Sequence, residues 1–193
     1  MRTLMRRALT PLAVVLLAAC GGDNDKAGRD TAEQAQPSSR TLAATLQAES
    51  GFGTLGRAAT NAGLTNVLEG VGPYTLFAPA DSAFSVDGAP ADVTDESRRA
   101  ESAALLRAHI VPGSLTRRDI LAAIERDADG SVQMRTMADT LLTFSRDGEA
   151  IVVASDSGAR SRLTGDERLA SNGVLQPVEG LLVRAEGSTA PAA

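Results

Sequence analysis

The sequence predicts an α+β fold, two packed β-sheets of about seven strands with several short helices at one side. Two observations carry this. From Thr41 to Ile124 apolar residues recur mainly at helical spacing, with one strand among them. After Gly130 the pattern changes to short strands divided by turn residues. No internal repeat is present, so these elements belong to a single copy.

Thr41 precedes LAATLQA, where Leu42 and Leu46 share a helical face, and a short helix starts there. Thr54 to Ala62 forms a second helix, with Gly63 suited to a left-handed stop. Asn66 to Glu69 adds one more turn before Gly70, Gly72 and Pro73 break the chain. Tyr74 to Ala78 reads as a strand, which Pro79 keeps from continuing as a central one. Asp81 then stands where a helix would start at Ser82, and an aspartate there accepts from free amides and complements the helix dipole. Thr94 is placed to cap the longest helix, Asp95 to about Arg107, with Ala103, Leu106 and Ile110 as its inward stripe. Thr116 and Asp119 form a capping box for a helix through Ile124.

Val132 to Thr136 is the next strand. Leu141 to Ser145 and Ala150 to Ala154 flank Arg146-Asp147-Gly148-Glu149, whose Asp-Gly pair favours the positive dihedrals of a hairpin turn. Arg160 to Thr164 is a further strand, and Val174 to Gln176 with Leu181 to Val183 reads as the closing pair. Ser171-Asn172-Gly173 is a tight-turn signature, since asparagine and glycine tolerate left-handed conformations. Pro177 lacks an amide proton, so its strand needs an edge or a bulge there.

Residues 1–19 have the form of an export leader. Arg2, Arg6 and Arg7 precede an apolar run from Ala8 to Ala19, and Leu17-Ala18-Ala19-Cys20 closes it with small residues before a cysteine. The run is about a dozen residues, too short for the roughly 20 of a spanning helix. It resembles a bacterial lipoprotein signal, which implies a lipid on Cys20 and a chain tethered to a membrane; acyl chains contribute roughly 0.8 kcal/mol per buried methylene. In a host with two membranes, Gly21 after the cysteine resembles the pattern sent to the outer one. Residues 20–39 hold no leucine, isoleucine, valine or aromatic residue and read as a flexible spacer with a reach of roughly 25 Å. Residues 40–186 form the domain, and 187–193, GSTAPAA, a frayed tail.

Cys20 is the only cysteine among the 193 residues, so the domain is stable through its core without disulfides. About 145 residues suffice for that. Setting the leader aside removes three of the 19 basic residues and none of the 24 acidic ones, leaving a formal charge of −8. Such a surface, with no basic cluster and no aromatic series, excludes nucleic acid as a partner. P-loop, dinucleotide-binding, Cys-x-x-Cys and HExxH signatures are absent. Asp166-Glu167 and the Asp127, Asp129 pair lack calcium-loop spacing and read as solvated loop charges. His109 is the only histidine, with no nucleophile elbow to accompany it, and is read as a half-buried residue bonded to backbone where the long helix passes into a strand.

Three stretches, TLFAPADSAF at 75–84, HIVPG at 109–113 and ASNGVLQPVEGLLV at 170–183, resemble in order and spacing a fasciclin domain, over about Arg40 to Glu186. The residues that carry the resemblance are Thr75, Phe77, Pro79, Asp81, Phe84, His109, Pro112, Gly113, Asn172 and Gly173. The chain departs from the family pattern at Ala80, Ser82, Gln176, Pro177 and Glu179. In many fasciclin domains a tyrosine precedes the histidine, a pair linked to integrin recognition in animal relatives; here Ala108 takes its place.

The resemblance implies a fasciclin-like fold and an adhesion or binding role: a lipid-anchored, non-enzymatic protein of the bacterial cell envelope, with a protein or glycan ligand and a monomer as the default state. No catalytic residue, cofactor or metal is expected. A carrier of an apolar small molecule, such as the carotenoids some fasciclin-type proteins bind, is the alternative. A hydrolase using His109 stands third.

Overall fold

The computed structural model describes residues 38–86 and 92–184. Cys20, the leader, nearly all of the 20–39 spacer and the 187–193 tail lie outside them.

Five helices and eight strands are described in chain order: α1 Leu42–Ala48, α2 Gly53–Asn61, α3 Thr65–Glu69, β1 Tyr74–Pro79, α4 Arg99–Ala108, β2 Ile110–Pro112, α5 Arg117–Arg126, β3 Ser131–Arg135, β4 Leu141–Asp147, β5 Ala150–Ser155, β6 Arg160–Arg162, β7 Arg168–Ala170 and β8 Gly173–Val178. Short 3-10 turns occupy Asp81–Phe84 and Glu96–Arg98. The strands form two sheets of four, ordered β2-β1-β8-β7 and β3-β4-β5-β6. In the first, β1 and β8 run parallel, Leu76 opposite Leu175, and the other pairs are antiparallel. The second is an antiparallel meander built from neighbours in sequence. The Leu163–Val178 bridge, flanked by bonds from the Thr164 N–H to the Pro177 carbonyl and from the Glu179 N–H to the Arg162 carbonyl (both 2.9 Å), ties the sheets together at one side, and the Met137 N–H donating to the Ile110 carbonyl at 2.8 Å adds a further tie.

The alternation of β1 sorts its side chains into two cores. Leu76 and Ala78 pack with Leu42, Leu55, Leu68 and Leu106 under helices α1 to α4. Phe77 points the other way, among Ile120, Ile124, Phe144 and Val153, between the sheets. Its ring lies 5.3 Å from that of Phe144, tilted by 38°. Helix α5 is the exception to one-sided helices. Its Ile120 and Ile124 belong to the inter-sheet core, and it packs on β3 and β4.

The capping box at Thr116 and Asp119 is present, with the helix two residues longer than the spacing suggests. Several local readings are corrected. Asp95, not Thr94, caps the segment leading into α4, because its carboxylate takes the Ser97 N–H while Thr94 turns back to Asp92. The buried face of α4 is Ser102, Leu105, Leu106 and Ala108, with Ala103 only half-buried. In the β4–β5 hairpin Asp147 is already paired with Ala150, and of the Asp-Gly pair only Gly148 has a positive φ, 62°. Strand β7 takes the place beside β8 that Leu181–Val183 was expected to fill, that segment not being a strand, and β2 is the addition that brings the strands to eight. Pro177 belongs to an interior strand, but β7 ends its pairing at Leu175. Beyond it β8 turns toward β6, with the Thr164 N–H donating to the Pro177 carbonyl.

Candidate functional site

The motif residues come together as clamps on backbone. Thr75 is fully buried in β1; its hydroxyl donates to the Gly113 carbonyl (2.7 Å) and accepts from the Leu115 N–H (2.9 Å). Those two bonds hold the loop after HIVPG against the first motif. The Gly113 N–H donates to the Pro73 carbonyl at 2.9 Å, and Pro112 pairs with Tyr74. Phe84 is partly buried against the helical core. Pro79 ends β1 opposite Val178.

Asp81 does not cap the turn it opens. Its carboxylate reaches back and accepts from Gly53 (3.2 Å) and Thr54 (2.7 Å), the first amides of α2, whose own N-cap residue, Phe52, offers no side-chain acceptor. Burial pushes the Asp81 carboxyl up, but the hydrogen bonds from Thr54 and Gly53 outweigh it and hold the group below the ordinary aspartate range. The cap is therefore long-range, and it joins the first motif to a different helix.

His109 is fully buried rather than half-buried. Its Nδ1 lies 2.8 Å from the Leu105 carbonyl, and its Nε2 accepts from the Leu182 N–H at 3.0 Å. An acceptor at Nε2 requires the proton on Nδ1, donated to Leu105. Burial drives the imidazole pKa down to about 4, only partly opposed by the Leu105 carbonyl. Both nitrogens are engaged with backbone and neither faces a nucleophile.

Asn172 is a side-chain hub rather than a left-handed turn residue. Its Oδ1 accepts from the Leu42 N–H (2.8 Å), and its Nδ2 donates to the carbonyls of Leu68 (2.9 Å) and Gly70 (2.7 Å). Among the described residues Asp139 is the sole non-glycine with positive φ. Gly173 is needed for close approach, because a Cβ there would fall 1.9 Å from the Tyr74 carbonyl oxygen and 2.9 Å from Leu42 Cδ1. The third motif thus fastens β8 to the start of α1 and the end of α3.

Glu167, expected in solvent, is instead part of a polar network that sequence reasoning missed. Its Oε2 accepts from the Arg117 N–H (2.8 Å) and from Gln176 Nε2 (2.7 Å), which also donates to the Leu115 carbonyl. The Arg117 guanidinium closes the ring on Gln176 Oε1 and the Thr164 carbonyl. Gln176 is fully buried, so each of its polar atoms has to be met by protein, and each is.

A groove of about 510 Å³ runs along α2, floored by Leu46 and Phe52 and rimmed by Glu49, Arg57, Asn61 and Glu96. The loop between α3 and β1 holds Val71 at 96% exposure beside exposed Pro73.

The two four-stranded sheets, with signature residues that clamp loops to a core, define a class of α+β domain in which those residues serve the fold. The chain belongs to the fasciclin domain family, whose model matches residues 50–184. It is similar to an uncharacterised protein of Synechocystis, 38% identical over 69 residues, covering 36% of this chain and 52% of that protein. It is also similar to transforming growth factor-beta-induced protein ig-h3 of Sus scrofa, 27% identical over 140 residues, 72% of this chain and 18% of that one. Among solved structures it matches a FAS1 domain pair from the insect cell adhesion molecule Fasciclin I, with a TM-score of 0.64 at 15% identity, covering 75% of this chain and 51% of that one. The chain spans about half or less of the length of these relatives.

Proposed function

We propose that this protein is a lipid-anchored, non-enzymatic interaction domain of the bacterial cell envelope, held by an acyl group on Cys20 and binding a protein or glycan through its exposed grooves and loops. The observation that carries the reading is the state of His109. The one imidazole in the chain is buried, with both nitrogens satisfied by backbone, so the most capable acid–base group serves the fold. Family membership supports the adhesion role, and the leader with its small residues before Cys20 supports the anchor.

A carrier of apolar molecules gains no support from the core. The space between helices and first sheet is filled by Leu42, Leu55, Leu68, Leu76 and Leu106, all without exposed surface. The α2 groove combines an apolar floor, Leu46 and Phe52, with Glu49, Arg57 and Asn61, polar groups able to orient a ligand.

The test is binding of the full chain in nanodiscs to isolated envelope glycans and proteins, compared with an Arg57→Glu variant of unchanged melting temperature. Saturable binding weakened about tenfold, or 1.4 kcal/mol, by the charge reversal is expected. Binding that is absent, or indifferent to every groove substitution, contradicts the reading.

A further inference from the structure

Three of the four outer strands in the two sheets are covered. The edge of β7 is met by the segment entering the domain, where the Ser38 N–H donates to Leu169 and the Ser171 N–H to Arg40. β2 has three residues, ends at a proline, and gives its Ile110 carbonyl to Met137. β6 continues into the bridge between Leu163 and Val178. β3 is different. It pairs with β4 in unbroken register from Ser131 to Arg135, and among the described residues none of its backbone groups bonds to anything on the other side. Of the usual devices that keep an edge from pairing with another chain, it carries no proline, lysine or bulge, and its one charged residue, Arg135, stands at its end and is held by Asp139 of the same chain at 3.0 Å.

We propose that β3 is a self-association edge, which pairs antiparallel with β3 of a second copy about a two-fold axis through Gln133 and joins the two second sheets into one of eight strands. The sequence SVQMR is suited to this register. Val132 and Met134, which share the face packed toward the inter-sheet core, fall opposite each other across the axis, so apolar meets apolar. Ser131 falls opposite Arg135, so like charges do not meet. The antiparallel ends also bring the exposed Arg135 of one copy beside the turn carrying Asp127 and Asp129 of the other. A one-residue slip would set Val132 and Met134 against polar positions. A five-residue edge is small for a stable dimer in solution, so the pairing draws on the local concentration of chains held on one surface. That last step rests on the lipid anchor proposed above.

Cysteine cross-linking tests the register. In the antiparallel pair the two Gln133 Cα atoms lie roughly 4.5–5.5 Å apart, within disulfide reach, whereas Ser131 and its own copy are offset by four residues, about 13 Å. Full-length chains carrying Gln133→Cys, Ser131→Cys or Arg135→Cys are oxidised mildly, both with Cys20 intact on membranes and with Cys20→Ser in concentrated solution. A band at twice the monomer mass is expected for Gln133→Cys alone and for Ser131→Cys mixed with Arg135→Cys, with little for either of the latter alone. Bands in solution but not on membranes, with Cys20→Ser chains no less membrane-bound, would point to failure of the anchor and leave the edge standing. Absence of the Gln133→Cys band in both settings, equal bands for all three variants, or capture of a different protein overturns the proposal.

Discussion

Burial withdraws the His109 imidazole from water, so charging it inside the fold costs more than charging it in the unfolded chain. Its pKa falls from 6.5 to about 4. Between those values the unfolded state binds more protons than the folded one, so stability is full above pH 6.5, is lost as pH falls, and levels off below about 4. The loss amounts to roughly 3 kcal/mol. Urea unfolding at pH 7.5, 5.5 and 4 should show it, and His109→Gln should flatten the slope; an equal slope in the variant would assign it elsewhere. The lowered carboxyls of Asp81 and Asp119 act in a lower window, their stabilisation present above the ordinary value of 3.8 and lost below it. Asp81→Ala should cost about 1 kcal/mol as a lost cap. Because the cap serves α2, amide exchange should quicken at Gly53 and Thr54 and not at Ala83 and Phe84. Gly173→Val drives a side chain into the Tyr74 carbonyl, and a loss of about 3 kcal/mol or more is expected in thermal melts. A variant that melts like wild type would show that β1 and β8 can separate there.

At the scale of elements, what a short window of sequence determines was readable and what distant partners determine was not. The helix after Thr116 follows from a box closed within three residues. The β4–β5 hairpin likewise follows from local alternation about a glycine. By contrast Asp81 finds its amides 27 and 28 residues back, and Asn172 finds its partners 102 to 130 residues away. Both residues carried the family signature, but composition near them suggested a local cap and a local turn. The three residues of β7 have no periodicity of their own, and they are a strand because β8 lies beside them. Asn172→Ala leaves the Leu42 amide and the Leu68 and Gly70 carbonyls unmet in a buried place, which should cost about 3 kcal/mol or more. Exchange at the Leu42 amide should rise with it; protection retained there would mean another acceptor replaces Asn172.

For the whole molecule, the parallel pairing of β1 with β8 means the first sheet closes only after almost the entire domain has been made, whereas the second sheet is assembled from neighbours. With Cys20 outside the domain, the core alone stabilises it, and the clamps at Thr75, Asp81, His109 and Asn172 fix the loops on that core. The chemistry that would place this scaffold at a membrane resides in one thiol. Phase partitioning of the expressed protein, with intact mass of its amino-terminal peptide, is the most direct measurement. Wild type should enter the detergent phase with an acylated Cys20, and Cys20→Ser should stay in the aqueous phase with unchanged melting. Wild type that stays aqueous, or a serine variant that still partitions into detergent, contradicts the account.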